Sequence, residues 1–153
     1  MMKGLYVLII EVEAYTTLDI KSVRSRTLER GTYVYVGSAM GSGSTSLEKR
    51  LARHFRKEKK THWHVDHLLR SAGGPRYAFW AESSEHSECL LVSALAKNPS
   101  FDPISKGFGA TDCRRGCYSH LAKYVGTSDV RAALKKAFLS LGFTAHYTED
   151  GRL

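Results

Sequence analysis

Three apolar stretches rich in β-branched and aromatic residues predict the strands of a sheet. Gly4 to Val12 is apolar at both odd and even positions, which is typical of a central strand covered on both faces. Thr32 to Gly37 alternates tyrosine with valine, so its tyrosines are expected on one face and its valines on the other. A third strand is predicted for Arg76 to Glu82.

Helical periodicity predicts four helices. Thr45 and Glu48 have the spacing of a capping box, so we expect the first helix to begin there. Its predicted buried stripe consists of Leu47, Leu51 and Phe55. The other helices are predicted over roughly Trp63 to Ser71, Ser84 to Lys97 and Ser128 to Leu141.

Two segments show no clear periodicity. Residues 13–31 are polar and irregular, and we interpret them as a longer hairpin or arm. Asn98 to His120 contains Gly and Pro and predicts a long loop, of a length that is usually functional or disordered. Because neither a repeat nor a linker is visible, residues 1–153 are expected to form a single domain.

Composition and charge narrow the class of protein. Hydrophobic residues make up 42% and charged residues 25%, which is the composition of a globular chain and argues against disorder. The longest apolar run is too short to span a bilayer and no signal peptide is visible, so we expect a cytoplasmic protein without a membrane partner. Three cysteines do not make a disulfide framework, which favours a reducing compartment. The net charge of +8 points to a polyanionic partner.

Glu88 lies on the apolar stripe of the third predicted helix, with Leu91, Val92 and Leu95 at the following helical positions. A carboxylate on such a stripe is costly to bury without a cation, and either a metal ion or an arginine would serve. The alternative is a boundary glutamate in a salt bridge.

Arg50 and His54 are four residues apart and share one flank of the first predicted helix. Two cationic or hydrogen-bonding groups in that arrangement suit a phosphate, although a solvated basic face is the alternative. Tyr6 and Tyr35 lie in neighbouring predicted strands, where their phenols could handle protons or orient water. Such tyrosines are otherwise core residues with satisfied hydroxyls.

Cys113, Cys117 and His120 form a C-x3-C-x2-H pattern in the long predicted loop. Thiolate and imidazole ligands spaced this closely along the chain can hold zinc, but a structural zinc site needs four ligands and this pattern supplies three. Asp112 or a histidine from His62, His64 or His67 could supply the fourth. The alternative is a pair of partly buried thiols.

Together these segments resemble the GIY-YIG nuclease superfamily. The resemblance rests on GLY at 4–6, YVG at 35–37, EKRLARHF at 48–55 and Glu88 on a later helix. The wider match is similar to the Uri-type branch of endonuclease-like domains. It covers roughly Lys3 to Tyr124 and leaves 125–153 as a C-terminal helical extension. Its further motifs are YVYVGSAMGSG, RLARHFRK, HWHVDHLL, SEC around Glu88, FGATDC and SHL at 119–121.

The resemblance implies an α+β fold, a small three-stranded antiparallel sheet flanked by helices, with an added C-terminal helix. It implies a divalent-metal-dependent endonuclease that hydrolyses DNA phosphodiester bonds. Tyr6 and Tyr35 would be the active-site tyrosines, Arg50 would contact the scissile phosphate, and His54 would support it. Gly37 would be a tight backbone position. Glu88 would be the single carboxylate ligand of Mg²⁺ or Mn²⁺.

Duplex or branched DNA is the expected partner. Because no separate DNA-binding module is visible in the sequence, a protein that supplies specificity is a second expected partner. The arginines of 13–31 are candidates for nucleic-acid contact. The other expected contacts are Gly37, Ser38, Arg53, Arg56, Lys57, Lys60, Arg114 and Arg115.

The sequence departs from the superfamily pattern in lacking an Asn well after Glu88, since Asn98 lies too close; Asp112 or Ser119 could replace it. Two alternatives therefore stay open: a nucleic-acid-binding domain with weak or no catalysis, and a zinc-stapled structural or interaction protein.

Overall fold

An antiparallel sheet organises the chain in the computed structural model, which describes residues 1–20, 27–85, 87–104, 107–110 and 117–153. Within these residues the sheet has six strands in the order β6-β7-β4-β1-β5-β8. A separate two-stranded ribbon pairs β2 with β3. The strands are β1 (Gly4–Val12), β2 (Thr16–Thr17), β3 (Thr27–Leu28), β4 (Gly31–Ala39), β5 (Tyr77–Glu82), β6 (Phe101–Pro103), β7 (Leu121–Tyr124) and β8 (His146–Thr148).

The expectation of a small three-stranded sheet is wrong, although the architecture is α+β. The three predicted strands form the centre, β4-β1-β5, and β6, β7 and β8 extend it on both sides. These added strands are three or four residues long, too short to show a period-2 pattern in the sequence. Pro103 ends β6 at a sheet edge, where its missing N–H costs no ladder hydrogen bond.

Both faces of β1 are buried, as its pattern predicted. The tyrosine–valine alternation of β4 is also confirmed. Tyr33 and Tyr35 belong to the core on one face of the sheet, and Val34 and Val36 to the core on the other. The β2–β3 ribbon adds Leu28 to the core on the tyrosine face, and Leu18 and Ile20, which follow β2, also belong to it.

Four helices are found in the described part of the chain: α1 (Leu47–Phe55), α2 (His64–Ala72), α3 (Glu88–Ala96) and α4 (Val130–Ser140). The start of α1 differs from the prediction by one residue. Ser46 is the N-cap and its side chain accepts from the N–H of Lys49, because a short 3-10 turn holds Thr45. Glu48 instead accepts a hydrogen bond from the N–H of Met2 at 2.7 Å.

The helices cover both faces of the sheet. Leu47 and Leu51 of α1 pack with α2 on the tyrosine face, while α3 and α4 pack on the valine face. The C-terminal helix therefore covers the sheet, with Leu134 and Phe138 fully buried. Residues beyond 124 supply β8 as well as this helix. No helix in the described ranges is long and apolar enough to cross a membrane.

Candidate active site

A pocket of about 220 Å³ lies where β1 and β4 meet the start of α1 and of α3. Four of the five side chains predicted to be catalytic line it, and the fifth, His54, lies behind one of them. The lining residues are Tyr6, Tyr35, Gly37, Ser38, Arg50, Trp63, Glu88, Gly109 and His120.

The strand register brings the two tyrosines together. Tyr6 of β1 pairs directly with Gly37 of β4, and Tyr35 lies two residues earlier on the same face. A Cβ atom at Gly37 would lie 2.5 Å from Cζ and Oη of Tyr6. The Tyr6 ring therefore lies across Gly37, and this close approach requires glycine at the end of the YVG motif.

A second glycine lies against the other tyrosine. Gly109 has φ +64°, and a Cβ there would lie 2.8 Å from Cε1 of Tyr35. Its N–H donates to Nδ1 of His64 at 2.8 Å, which attaches this part of the predicted long loop to the start of α2. Gly109 belongs to the FGATDC motif, but the sequence did not predict that Gly109 lines the pocket.

His54 is buried and connects α1 to β1. Its Nε2 lies 2.7 Å from the Tyr6 hydroxyl, and its Nδ1 is buried without a hydrogen-bond partner in the described part of the chain. The pKa of His54 is lowered to about 3, mainly by burial; the charge of Asp66 opposes this fall and that of Arg53 adds to it. The imidazole is therefore neutral at physiological pH.

Both pocket tyrosines are neutral phenols. Burial raises the pKa of Tyr6 well above its usual value, and the neighbouring Tyr35 raises it further. Burial is also the main cause that raises the pKa of Tyr35, followed by the charge of Glu88. The Arg50 guanidinium opposes the rise at both tyrosines.

Arg50 is held by a strand end and an aromatic ring. Its Nη1 donates to the carbonyl of Ser38 at 2.6 Å, and its guanidinium carbon lies 4.7 Å from the ring centre of Trp63. Its Nε is buried and has no acceptor among the described residues. A buried, unpaired guanidinium N–H at the wall of a pocket is a donor suited to an anionic ligand.

Glu88 reaches the pocket from the opposite side of the sheet. It is the first residue of α3, whose apolar side chains belong to the valine-face core. β7 pairs with β4 only as far as Tyr35, so the end of β4 has no strand neighbour on that side among the described residues. Glu88 is half-buried there and close enough to raise the pKa of both tyrosines.

The pocket fits the divalent cation that the resemblance implies. Among the described residues that line the pocket, Glu88 is the one with a carboxylate, and the phenols of Tyr6 and Tyr35 line the pocket with it. Oxygen donors are what Mg²⁺ and Mn²⁺ prefer, and Mg²⁺ commonly binds through one or two carboxylates while keeping several waters.

The basic residues predicted to contact nucleic acid separate into two groups. Arg53 forms a two-pronged ion pair with Asp66 at 2.9 Å and lies 4.3 Å from the Trp63 ring centre, so it is part of the helix packing. Arg56, Lys57 and Lys60 are exposed and line a separate groove of about 730 Å³. Arg114 and Arg115 lie outside the described residues, as do the basic residues of 21–26.

Trp63 and Asp66 were missed as site residues. Trp63 contacts Arg50, Arg53 and His54, and Asp66 accepts from the N–H groups of His62 and Trp63 as well as from Arg53. Burial opposes ionisation of Asp66, but these hydrogen bonds outweigh it and lower its pKa. Both residues belong to the HWHVDH motif, which was the available sequence evidence for them. A tryptophan beside a helix start is, however, most often a core residue, so the motif did not indicate a site.

Cys117 and His120 of the predicted zinc pattern do come together, but their third neighbour is Cys89 of α3. This cluster could hold a metal ion. Cys113 and Asp112 lie outside the described residues. Ser119, one suggested substitute for the missing Asn, is buried and bonded to the backbone of Leu121.

Comparison with known proteins gives a family. A family model described as "Domain of unknown function DUF123" matches residues 5–143, so the chain belongs to the DUF123 family. No curated protein and no solved structure matches the chain.

Proposed function

We propose that this protein is a divalent-metal-dependent endonuclease that hydrolyses phosphodiester bonds in DNA. The observation that carries the proposal is the convergence of Tyr6, Tyr35, Arg50 and Glu88 on one pocket, with His54 hydrogen-bonded to Tyr6. These residues come from two strands and two helices. Their convergence supports the roles that the resemblance to GIY-YIG nucleases implies.

Arg50 would bind the scissile phosphate. Its guanidinium is anchored by the Ser38 carbonyl and the Trp63 ring, so little side-chain freedom is lost when a ligand binds. Nε would donate to a phosphate oxygen and thereby gain the partner that the described residues do not provide. The permanent charge of arginine also stabilises the negative charge that develops during hydrolysis.

Glu88 would hold the Mg²⁺ or Mn²⁺ ion, with water as the remaining ligand. When bound, such an ion supplies Lewis-acid activation of the phosphate and of the leaving oxygen. Glu88 is suited to this role because it is half-buried at the pocket yet lies at the start of a helix whose other residues anchor it.

Tyr6 and Tyr35 would orient the attacking water. Both are neutral at physiological pH, so each offers a hydroxyl as hydrogen-bond donor and acceptor. The Arg50 charge opposes the raised pKa of Tyr6, and Tyr6 is the phenol in contact with a second titratable group, His54. A pKa of about 3 makes His54 a weak base, so we assign it to positioning Tyr6.

The basic groove would bind the DNA backbone beyond the cleavage site. Asp66 lines this groove and pairs with Arg53, and Arg53 stacks on the Trp63 ring that lines the pocket. The groove and the pocket therefore share one connected framework. Exposed lysines and arginines such as Lys57 and Lys60 bind phosphates without regard to base sequence.

The decisive experiment compares two carboxylates. Supercoiled plasmid and branched duplex DNA are incubated with Mg²⁺ or Mn²⁺ and either the parent protein, Glu88→Gln or Glu85→Gln. Glu85 is an exposed glutamate just before α3 and outside the pocket lining, and it serves as the matched control. We expect cleavage by the parent and by Glu85→Gln, and a loss of about 10²-fold or more in Glu88→Gln.

Equal cleavage by the parent and Glu88→Gln would contradict the site assignment. Salt-dependent DNA binding without cleavage in either metal would instead favour a nucleic-acid-binding domain. Parallel assays on RNA and single-stranded DNA would define the substrate class.

A further inference from the structure

Two sulfur atoms and an imidazole nitrogen lie together next to the candidate active site. Sγ of Cys89, Sγ of Cys117 and a ring nitrogen of His120 are all within 4.8 Å of one another. Cys89 is the second residue of α3, whereas Cys117 and His120 belong to the segment that leads into β7. The fold thus joins ligand-type side chains from two distant parts of the sequence.

These distances are close to those of a tetrahedral metal site. With Zn–S bonds of about 2.3 Å and Zn–N bonds of about 2.0 Å, tetrahedral ligand atoms lie about 3.4–3.8 Å apart. Rotation of the two cysteine side chains can close a gap of about one ångström without moving a helix. Thiolate and imidazole donors select zinc over Mg²⁺ or Ca²⁺.

His120 is the most firmly placed of the three. Its N–H donates to the Phe108 carbonyl at 2.9 Å, and its carbonyl accepts from the N–H of Val36 at 3.0 Å. The side chain is buried, and Nε2 has no hydrogen-bond partner among the described residues. Coordination through Nε2 would give this buried atom a partner.

An ion can reach the cluster from solvent. Cys89 and Cys117 are half-buried and line a surface cleft of about 390 Å³. Leu90 and Tyr118, next to them in the chain, are about half exposed. The site is therefore open on the cysteine side and closed on the histidine side.

We propose that Cys89, Cys117 and His120 bind a zinc ion that ties the start of α3 to the segment leading into β7. Both thiols release their protons on binding, so the two thiolates balance the charge of Zn²⁺, and water completes the tetrahedron. This site differs in metal preference from the Mg²⁺ or Mn²⁺ site proposed at Glu88, because its donors are two thiolates and an imidazole rather than a carboxylate.

The zinc would stabilise the wall of the pocket. Glu88 immediately precedes Cys89, and His120 itself lines the pocket. Because the three ligands come together only in the folded chain, the binding energy of the ion would contribute to folding and hold both residues in place. Zinc binding at this cluster does not require nuclease activity, since the three side chains and their cleft lie together whatever reaction the pocket carries out.

The test measures metal rather than cleavage. The full chain is purified without chelators, its zinc is quantified by mass spectrometry, and the metal-free protein is titrated with Co²⁺. We expect one zinc per chain and a thiolate-to-cobalt charge-transfer band. Cys89→Ser and Cys117→Ser should each weaken the band and lose the zinc, and His120→Gln should also lose it.

His146→Gln is the matched control, because His146 lies on β8 at the far edge of the sheet and should leave zinc content unchanged. Thermal unfolding of the unmodified chain tests the same site without a substitution. Its midpoint should fall on chelation and recover when zinc is added.

Three results would overturn the proposal. The first is a chain that binds neither zinc nor Co²⁺ at stoichiometric amounts. The second is full zinc binding by Cys89→Ser with loss in Cys113→Ser, which would restore the ligand set predicted from the sequence. The third is a Cys89–Cys117 disulfide in protein purified under reducing conditions.

Discussion

The Tyr6 hydroxyl and Nε2 of His54 are 2.7 Å apart and both residues are buried, so one hydrogen bond joins the central strand to the first helix beneath the candidate pocket. His54 is therefore not part of a solvated basic face, which was one interpretation of its helix. Its partner is a phenol, and burial keeps its ring neutral.

Stability should fall in mild acid because of His54. An unfolded histidine takes up a proton below about pH 6.5, whereas the folded pKa is about 3, so the unfolded state gains protons first as the pH falls. The His54 contribution is complete above about pH 6.5 and is lost progressively toward about pH 3. Between about pH 7.5 and 4.5 we expect a loss of about 2–3 kcal/mol in urea unfolding.

His54→Gln is the control for this acid sensitivity. Glutamine does not titrate, so the variant should lose about 2–3 kcal/mol less than the parent over the same pH interval. An equal loss in both proteins would show that other groups cause the effect. If the amide still holds Tyr6, cleavage near neutral pH should fall less in His54→Gln than in Tyr6→Phe.

Gly37→Ala should displace Tyr6. The added Cβ would lie 2.5 Å from the phenol, so the ring must move out of the pocket. We expect a destabilisation of about 1–3 kcal/mol by urea unfolding and a loss of cleavage. In a Tyr6→Ala background the same change should cost little, because the clash is gone. A full cost in that background would contradict the contact.

Arg53→Ala should destabilise the fold more than a surface ion pair does. Arg53 pairs with Asp66, whose side chain is 1% exposed, so its removal leaves a buried carboxylate without its cation. We expect a loss of about 3–5 kcal/mol in the free energy of unfolding. Arg76→Ala is the matched control, because Arg76 and Glu13 are both largely exposed and their pair should contribute less than about 1 kcal/mol.

Arg50→Lys should separate catalysis from stability. Lysine keeps the positive charge but loses the planar fork that bonds Ser38 and stacks on Trp63. We expect cleavage to fall by about 10²-fold or more with a small change in unfolding free energy. A large loss of stability with cleavage per folded molecule unchanged would identify Arg50 as a structural residue.

The exposed groove residues should set affinity for DNA rather than the rate of cleavage. Arg56→Ala, Lys57→Ala and Lys60→Ala should each weaken binding uniformly across sequences. Each should reduce the slope of log affinity against log salt by about 0.9 per lost phosphate contact. Lys136→Ala is the control, since Lys136 is exposed on α4 at the opposite face of the sheet. An unchanged salt slope in the three groove variants would place the DNA elsewhere.

Much of the central fold could be predicted from local patterns. The three central strands follow from runs of β-branched and aromatic residues, of which Thr32 to Gly37 also shows period 2. The four helices follow from apolar residues at helical spacing. The edge strands could not be predicted, since three residues such as Phe101–Pro103 carry no period. Their pairing depends on backbone groups that other strands present: β7 pairs with β4, β8 with β5, and β6 with β7.

The candidate site, like the fold, could be predicted from the sequence only in part. Residue types and spacing nominated Tyr6, Tyr35, Arg50 and Glu88 only as candidates, each with a structural alternative. The resemblance to GIY-YIG nucleases grouped them into one expected site. Chain spacing could not show that Trp63 holds two arginines, that His54 is buried behind Tyr6, or that Cys89 lies beside Cys117 and His120. Those relationships join residues on different elements, and their distances follow from sheet register and helix packing rather than from separation along the chain.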